Sequence, residues 1–181
     1  MRHHLVRADS DRFRTLCILP PRSTRDLYSL TGAPAGASWQ PLPVEWEPLR
    51  RRDKGVKVGN FAQLISCLLT MDKMALDALG PLLDPHVEWL PLEVQRGMPA
   101  LFTAHPLRSL ECLDMARAEE PVFYEGRLLG VNRYAFLPEI IGDLPIFRIR
   151  HLELSHVFVS EAVVDVVQTH ALQGLIFEEV V

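Results

Sequence analysis

The chain has 181 residues, 48% hydrophobic and 23% charged, which suits one globular domain or one domain with an N-terminal elaboration. Its formal net charge of −4 is unevenly distributed: residues 1–60 carry 11 Lys+Arg against 6 Asp+Glu, whereas residues 61–181 carry 8 against 17. An acidic body argues against a nucleic-acid binder, no apolar run reaches the roughly 18 residues that span a bilayer, and three widely spaced cysteines, Cys17, Cys67 and Cys112, argue against a disulfide framework or a compact zinc site.

The first residues, MRHHLVRADSDRFR, are charged and lack the apolar core of a signal peptide, so a cytoplasmic address and a mobile end with solvated His3 and His4 are expected. Phe13 to Leu19 reads as a first strand, ended by Pro20-Pro21. From there to about Asp53 the chain is rich in Pro, Gly, Ser and Ala, which forbids long regular elements. Trp39 and Trp46 stand out in this segment; they are expected to pin the loop to the domain surface, and they are also candidates for a partner-binding patch. The basic run Arg50-Arg51-Arg52-Asp53-Lys54 reads as a solvated turn, and Val56-Lys57-Val58 as a short strand before a turn at Gly59-Asn60.

From Phe61 to Leu79 the apolar residues Leu64, Ile65, Leu68, Met71, Ala75, Leu76 and Leu79 recur at helical spacing, with Gly80-Pro81 as the stop. Val87 to Val94 reads as a strand with Val87 and Trp89 on one face and Leu90 on the other; Pro91 places it at a sheet edge or bulge. Ala100 to Ala104 is a further strand. Pro106 can open a short helix that packs Leu107, Leu110 and Leu113. Val122–Glu125 and Leu128–Leu137 form a hairpin around Gly126-Arg127, and strands follow at Ile146–Arg150 and Leu154–Val159. Ser160 is placed to cap a helix that turns Val163, Val166, Val167 and His170 to one side, Gly174 supplies a left-handed stop, and Leu175-Ile176-Phe177 returns as a strand. About eight short strands and three helices at these spacings predict an α+β fold with a mostly antiparallel sheet. Residues 1–60 are expected to be an N-terminal strand and a Pro/Gly-rich elaboration packed on a main domain at 61–181. Pro91 and the short hairpins leave edges that allow a homodimer.

The chemistry-bearing patterns are absent. There is no H-x-x-x-H, H-E-x-x-H or C-x-x-C, so no metal site is expected. Ser160 lacks the flanking glycines of a nucleophile elbow, and none of the cysteines has a cationic or histidine setting that would make a thiolate. The Gly32-to-Gly36 stretch has neither the lysine nor the preceding strand of a phosphate loop. No catalytic residue and no cofactor are therefore predicted.

The segments "LPIFR … VFVSEAVVDVV … LQGLIFEEV", preceded by "ALGPLLDPHVEWLPLEV", "LRSLECLDMARAE" and "VNRYAFLPEIIGDLPIFR", resemble a family of bacterial polymorphic-toxin immunity proteins, long catalogued as a domain of unknown function. The resemblance covers roughly Phe61 to Val181 and rests on pattern and order. It implies a protein that binds and neutralises a cognate toxin, encoded nearby, by contact and occlusion rather than turnover. The N-terminal third does not follow that pattern. Acidic side chains can mimic substrate phosphates, and Glu111, Asp114, Glu119, Glu120 and Glu125 form the most open acidic stretch, read as a helix end and the turn after it. These five, with Trp39 and Trp46, are the candidate partner-binding residues. A protein-binding adaptor or regulatory module, as in signalling or motility, and a small enzyme with an atypical site are the other readings.

Overall fold

The computed structural model describes residues 2–49, 55–125 and 127–180; the basic run at residues 50–54 and Gly126 lie outside the described residues. The N-terminal part contains β1 (His3–Ala8), β2 (Leu16–Ile18), single 3-10 turns at Thr24–Leu27 and Gly36–Ser38, and β3 (Pro43–Trp46). Then come β4 (Phe61–Ala62), β5 (Leu69–Asp72), helix α1 (Lys73–Leu83), β6 (Val87–Pro91), β7 (Glu93–Val94), β8 (Leu101–Pro106) and β9 (Ser109–Leu110). The last part holds β10 (Glu119–Tyr124), β11 (Arg127–Arg133), α2 (Pro138–Ile141), β12 (Ile146–Ile149), β13 (Val157–Ser160), α3 (Glu161–Thr169) and β14 (Leu175–Val180). The fold is α+β. Its strands form a five-stranded sheet in the order β14-β1-β13-β12-β9, a four-stranded sheet β4-β5-β8-β6, a three-stranded sheet β2-β3-β7 and the separate hairpin β10-β11. Pairing is antiparallel except for β12 with β9 and β3 with β7.

The N-terminus departs most from expectation. Far from being mobile, β1 is an interior strand, antiparallel to β13 on one side and to β14 on the other. His3 and His4 are buried, at 5% and 8% exposure. An imidazole is half apolar, and His3 stands edge-on to Phe136 and Phe147, with ring centroids 6.3 and 5.6 Å away. His4 Nε2 lies 2.6 Å from Glu161 at the start of α3, and Arg2 reaches the same carboxylate at 3.2 Å. Val6 and Leu5 enter different apolar clusters, as an interior strand with two covered faces requires.

Three further elements differ from the sequence pattern. The stretch expected as a helix from Phe61 begins with β4 and β5; the helix starts only after Asp72, whose Oδ1 accepts from the Ala75 N–H at 2.9 Å. Leu69, Thr70 and Met71 are buried between β4 and β8, where strand pairing overrides their helical spacing. The helix then runs through Gly80-Pro81 to Leu83. No helix follows Pro106: the Arg108 and Leu110 carbonyls accept from the Arg148 and Arg150 amides at 2.9 and 2.8 Å, which draws this segment alongside β12 as β9. Finally, the strand expected from Leu154 starts only at Val157, because residues 153–155 form a turn after β12.

Other expectations hold. Val87 and Trp89 pack with the first apolar cluster and Leu90 with the second. Pro91 ends β6, which is the edge of its sheet, and the next residues cross to pair with β3. Ser160 stands at the N-cap position of α3, but the hydroxyl cap expected of it is not made: the residue is 1% exposed and its side chain accepts no bond from the first turn. His170, expected on the apolar side with Val163 and Val167, is instead exposed at the helix end, with Nδ1 3.0 Å from the Val166 carbonyl. Gly174 has φ of +115°, and a Cβ there would sit 2.5 Å from the Phe61 carbonyl oxygen, so this turn requires glycine.

The core is in three parts. The first places Val6, Met71, Leu79, Val159 and Val163 between the two larger sheets and helices α1 and α3. The second is built by the Pro/Gly-rich segment, where Leu27, Leu30, Leu42 and Val44 are at most 3% exposed and pack with Leu90 and Leu92. The third is aromatic: Tyr134, Phe136, Phe147 and Phe158 surround Cys112, with Phe147 and Phe158 stacked at 5.6 Å.

Candidate functional site

The five carboxylates singled out in the sequence lie on one segment that leads from β9 into the β10–β11 hairpin. Leu113 bridges to Phe136, the Asp114 amide donates to the Ala135 carbonyl at 2.9 Å and the Leu137 amide to the Cys112 carbonyl at 2.8 Å. These contacts fix the base of the hairpin on the aromatic core. Asp114 then turns the chain: its Oδ1 accepts from the Ala116 amide at 3.0 Å, and its carbonyl accepts from Arg117 and Ala118. The acidic stretch is thus a turn and a hairpin, and not the helix end expected. Glu111 pairs with Arg150 at 3.1 Å, Glu119 with Arg133 at 3.0 Å across the hairpin, and Glu120 accepts from Asn132 at 2.5 Å. Glu120 and Glu125 hold positive φ, 49° and 48°, which places bends within β10 and at its outer end.

The hairpin also exposes apolar groups that the sequence reading passed over. Val122, Phe123 and Leu129 are 48, 54 and 56% exposed, and Met115 in the turn below is 47% exposed. Val131 is buried and Leu128 is half-buried against the aromatic core, but Phe123, paired opposite Leu128, is not covered. The signal was present as an apolar pair, Val122-Phe123, bracketed by Glu119-Glu120 and Glu125. Trp39 and Trp46 lie elsewhere, half-buried on the second core cluster; Trp39 Nε1 donates to the Pro91 carbonyl at 3.0 Å, and the Arg14 guanidinium lies 5.6 Å from the Trp46 ring. They pin the Pro/Gly-rich segment as expected, and the structure does not bring them to the acidic hairpin.

A polar cluster occupies the interior. Arg148 on β12 is fully buried and donates to the carbonyls of Leu30 at 2.5 Å, Pro106 at 2.8 Å and Glu153 at 3.5 Å. It ties the N-terminal segment, the four-stranded sheet and the turn before β13 to one side chain. Fully buried His105 sits with Nδ1 3.4 Å from Glu88, and Glu88 accepts from the Ala35 and Gly36 amides at 2.7 Å each. Burial opposes ionisation of Glu88, but those amides and His105 outweigh it and hold the carboxyl below its usual range. Burial, then the Arg148 charge, lowers the pKa of His105 and keeps its ring neutral at pH 7. Thr70 and Thr103 share a buried hydroxyl bond at 2.9 Å. This arrangement cross-links the sheets; a cavity of about 170 Å³ near the end of β1 shares only Thr70 with it, and the one ionisable residue of its lining, Arg7, is paired with Glu178.

The cysteines are free and unactivated. Burial pushes Cys112 up to about 11 and raises Cys67; Cys17 is raised by burial and by Glu45 and Glu47. Among the described residues no group of three or more His, Cys, Asp or Glu is placed to hold a metal ion, and no helix is long and apolar enough to cross a membrane.

Residues 94–181 match the family model described as Immunity protein family (Imm11), a stretch that begins later than the resemblance read from Phe61 and contains the whole hairpin. The match points to a toxin-neutralising immunity role. No curated protein matches the chain.

Proposed function

We propose that this protein is a cytoplasmic immunity protein that binds a cognate toxin, encoded nearby, and neutralises it by occlusion without catalysis. The observation that carries this reading is the Imm11 match over residues 94–181. The interior is consistent with it: the fully buried His105 and Arg148 are held in contacts that tie the sheets and the N-terminal segment together. Neutralisation by contact demands affinity and geometry, not a reacting group, and a standard interface buries about 800 Å² on each partner. The excess negative charge of residues 61–181 favours a cationic partner by steering encounter.

The test is co-expression with the product of the adjacent gene. A stoichiometric complex on size exclusion, and growth rescued by this chain from that product's toxicity, are the expected results. If the two proteins do not associate and deletion of this gene leaves growth unchanged, the reading is wrong.

A further inference from the structure

The β10–β11 hairpin is built unlike the rest of the molecule. Its strands pair with each other and with no other strand among the described residues. Four of the large apolar side chains that the described surface leaves exposed, Met115, Val122, Phe123 and Leu129, lie within this one turn and hairpin. A monomer gains nothing from exposing an aromatic ring and two branched aliphatics on a two-stranded arm, since such an arm is marginally stable unless a face is covered. The base is anchored, through Val131 and the Leu113–Phe136 bridge, and Leu128 still packs at the edge of the aromatic core, while Phe123 opposite it is left uncovered. Pro121 within β10 removes one backbone donor, which blunts strand addition along β10 and leaves side-chain docking as the mode of contact. The apolar groups are edged by carboxylates from Glu119, Glu120 and Glu125.

We propose that this hairpin is the inhibitory arm: Phe123, with Val122 and Leu129 beside it, inserts into an apolar cleft of the toxin whose rim is cationic and meets Glu119, Glu120 and Glu125. This rests on the immunity reading and specifies the surface that would perform it. The occupant is a basic protein cleft on charge grounds: Glu119 and Glu120, although they also hold Arg133 and Asn132, and Glu125 flank the apolar tip, on a body whose residues 61–181 carry 17 Asp+Glu against 8 Lys+Arg. Buried aromatic anchors carry most of the affinity at such interfaces, and charged rims act on the association rate.

The experiment measures binding of the adjacent gene's product to the full-length chain, to Phe123→Ala, to Val122→Ser/Leu129→Ser and to Glu119→Gln/Glu120→Gln/Glu125→Gln. Met74→Ser, at a 64% exposed position on α1, is the control. Phe123→Ala is expected to weaken the complex roughly 30-fold or more through faster dissociation. The triple Gln variant is expected to slow association and flatten its salt dependence. Met74→Ser leaves both unchanged, and all variants keep a cooperative melt within a few degrees of wild type, since the altered side chains are exposed and the Glu119–Arg133 pair lost in the triple variant is a surface one. If the wild-type chain binds and every hairpin variant binds equally well, the arm is not the contact surface and the immunity reading stands without it. If the wild-type chain does not bind, both fall. If Phe123→Ala converts a dimer into a monomer while toxin affinity is unchanged, the occupant is a second copy and the proposal is overturned.

Discussion

Arg148→Met isolates what holds the N-terminal segment to the C-terminal sheet. Methionine keeps the length and apolar stem of arginine, so little cavity is opened, but it has no donor. The carbonyls of Leu30 and Pro106, which now accept at 2.5 and 2.8 Å, are left buried. Each stranded acceptor costs about 1–3 kcal/mol. Loss of the charge returns part of that, because a buried guanidinium carries its own desolvation cost. The acceptors stay behind, however, so the balance is a net loss of about 3 kcal/mol. For a domain of this size that is about 6–12 °C in Tm. Thermal unfolding followed by circular dichroism reads it directly. Limited proteolysis should also show faster cleavage between Pro20 and Pro48, since Leu30 loses its tether. Arg148→Lys should fall between the two, because one compact ammonium cannot replace a planar fork aimed at several carbonyls. A melting temperature for Arg148→Met at or above that of the native chain would refute the reasoning.

Three other outcomes follow from the same structure. Stability should fall as pH drops below about 6.5: burial lowers the pKa of His3, His105 and His156 from the ordinary 6.5, so the unfolded chain takes up protons first, and the loss deepens further down as Glu88, also held low, is protonated. Melting at pH 7.5, 6.5 and 5.5 checks this, and a flat or rising profile toward acid contradicts it. A fragment of residues 94–181, although it spans the Imm11 match, should lack cooperative unfolding, because β14 then has no β1 to pair with and β8 loses β5 and β6. Gly174→Ala should cost about 2 kcal/mol or more, read as a lower denaturant midpoint, since the turn needs positive φ and the new methyl meets the Phe61 carbonyl.

The parts of the fold that were legible in the sequence are those with a strong local cause. Gly174, the continuous apolar Val157-to-Val159 run and the periodic Val163 and Val167 announced the strand–helix–strand ending, and the Val122 and Leu128 runs announced the hairpin. The N-terminal strand was hidden because its burial is set by distant partners: nothing near His3 or His4 says that Phe136, Phe147 and Glu161 will surround them. Leu64 to Met71 misled for the opposite reason. Their helical spacing is genuine, but Leu69 to Met71 take a strand position between β4 and β8, and Leu64 to Leu68 the turn that leads into it, which outweighs a weak local propensity. At the candidate surface, the acidic residues were legible as charge, whereas their pairing with Arg150, Arg133 and Asn132 and the exposure of Phe123 depend on how the hairpin leaves the core. Arg148 was invisible for a related reason, since a buried arginine held by carbonyls has no sequence signature.

The most direct measurement of the central claim is survival of cells that express the adjacent gene's product with and without this chain. Full protection by the wild-type protein, together with a purified one-to-one complex, is the predicted result. Cells that die equally in both cases, or that survive without any complex forming, would contradict neutralisation by direct contact.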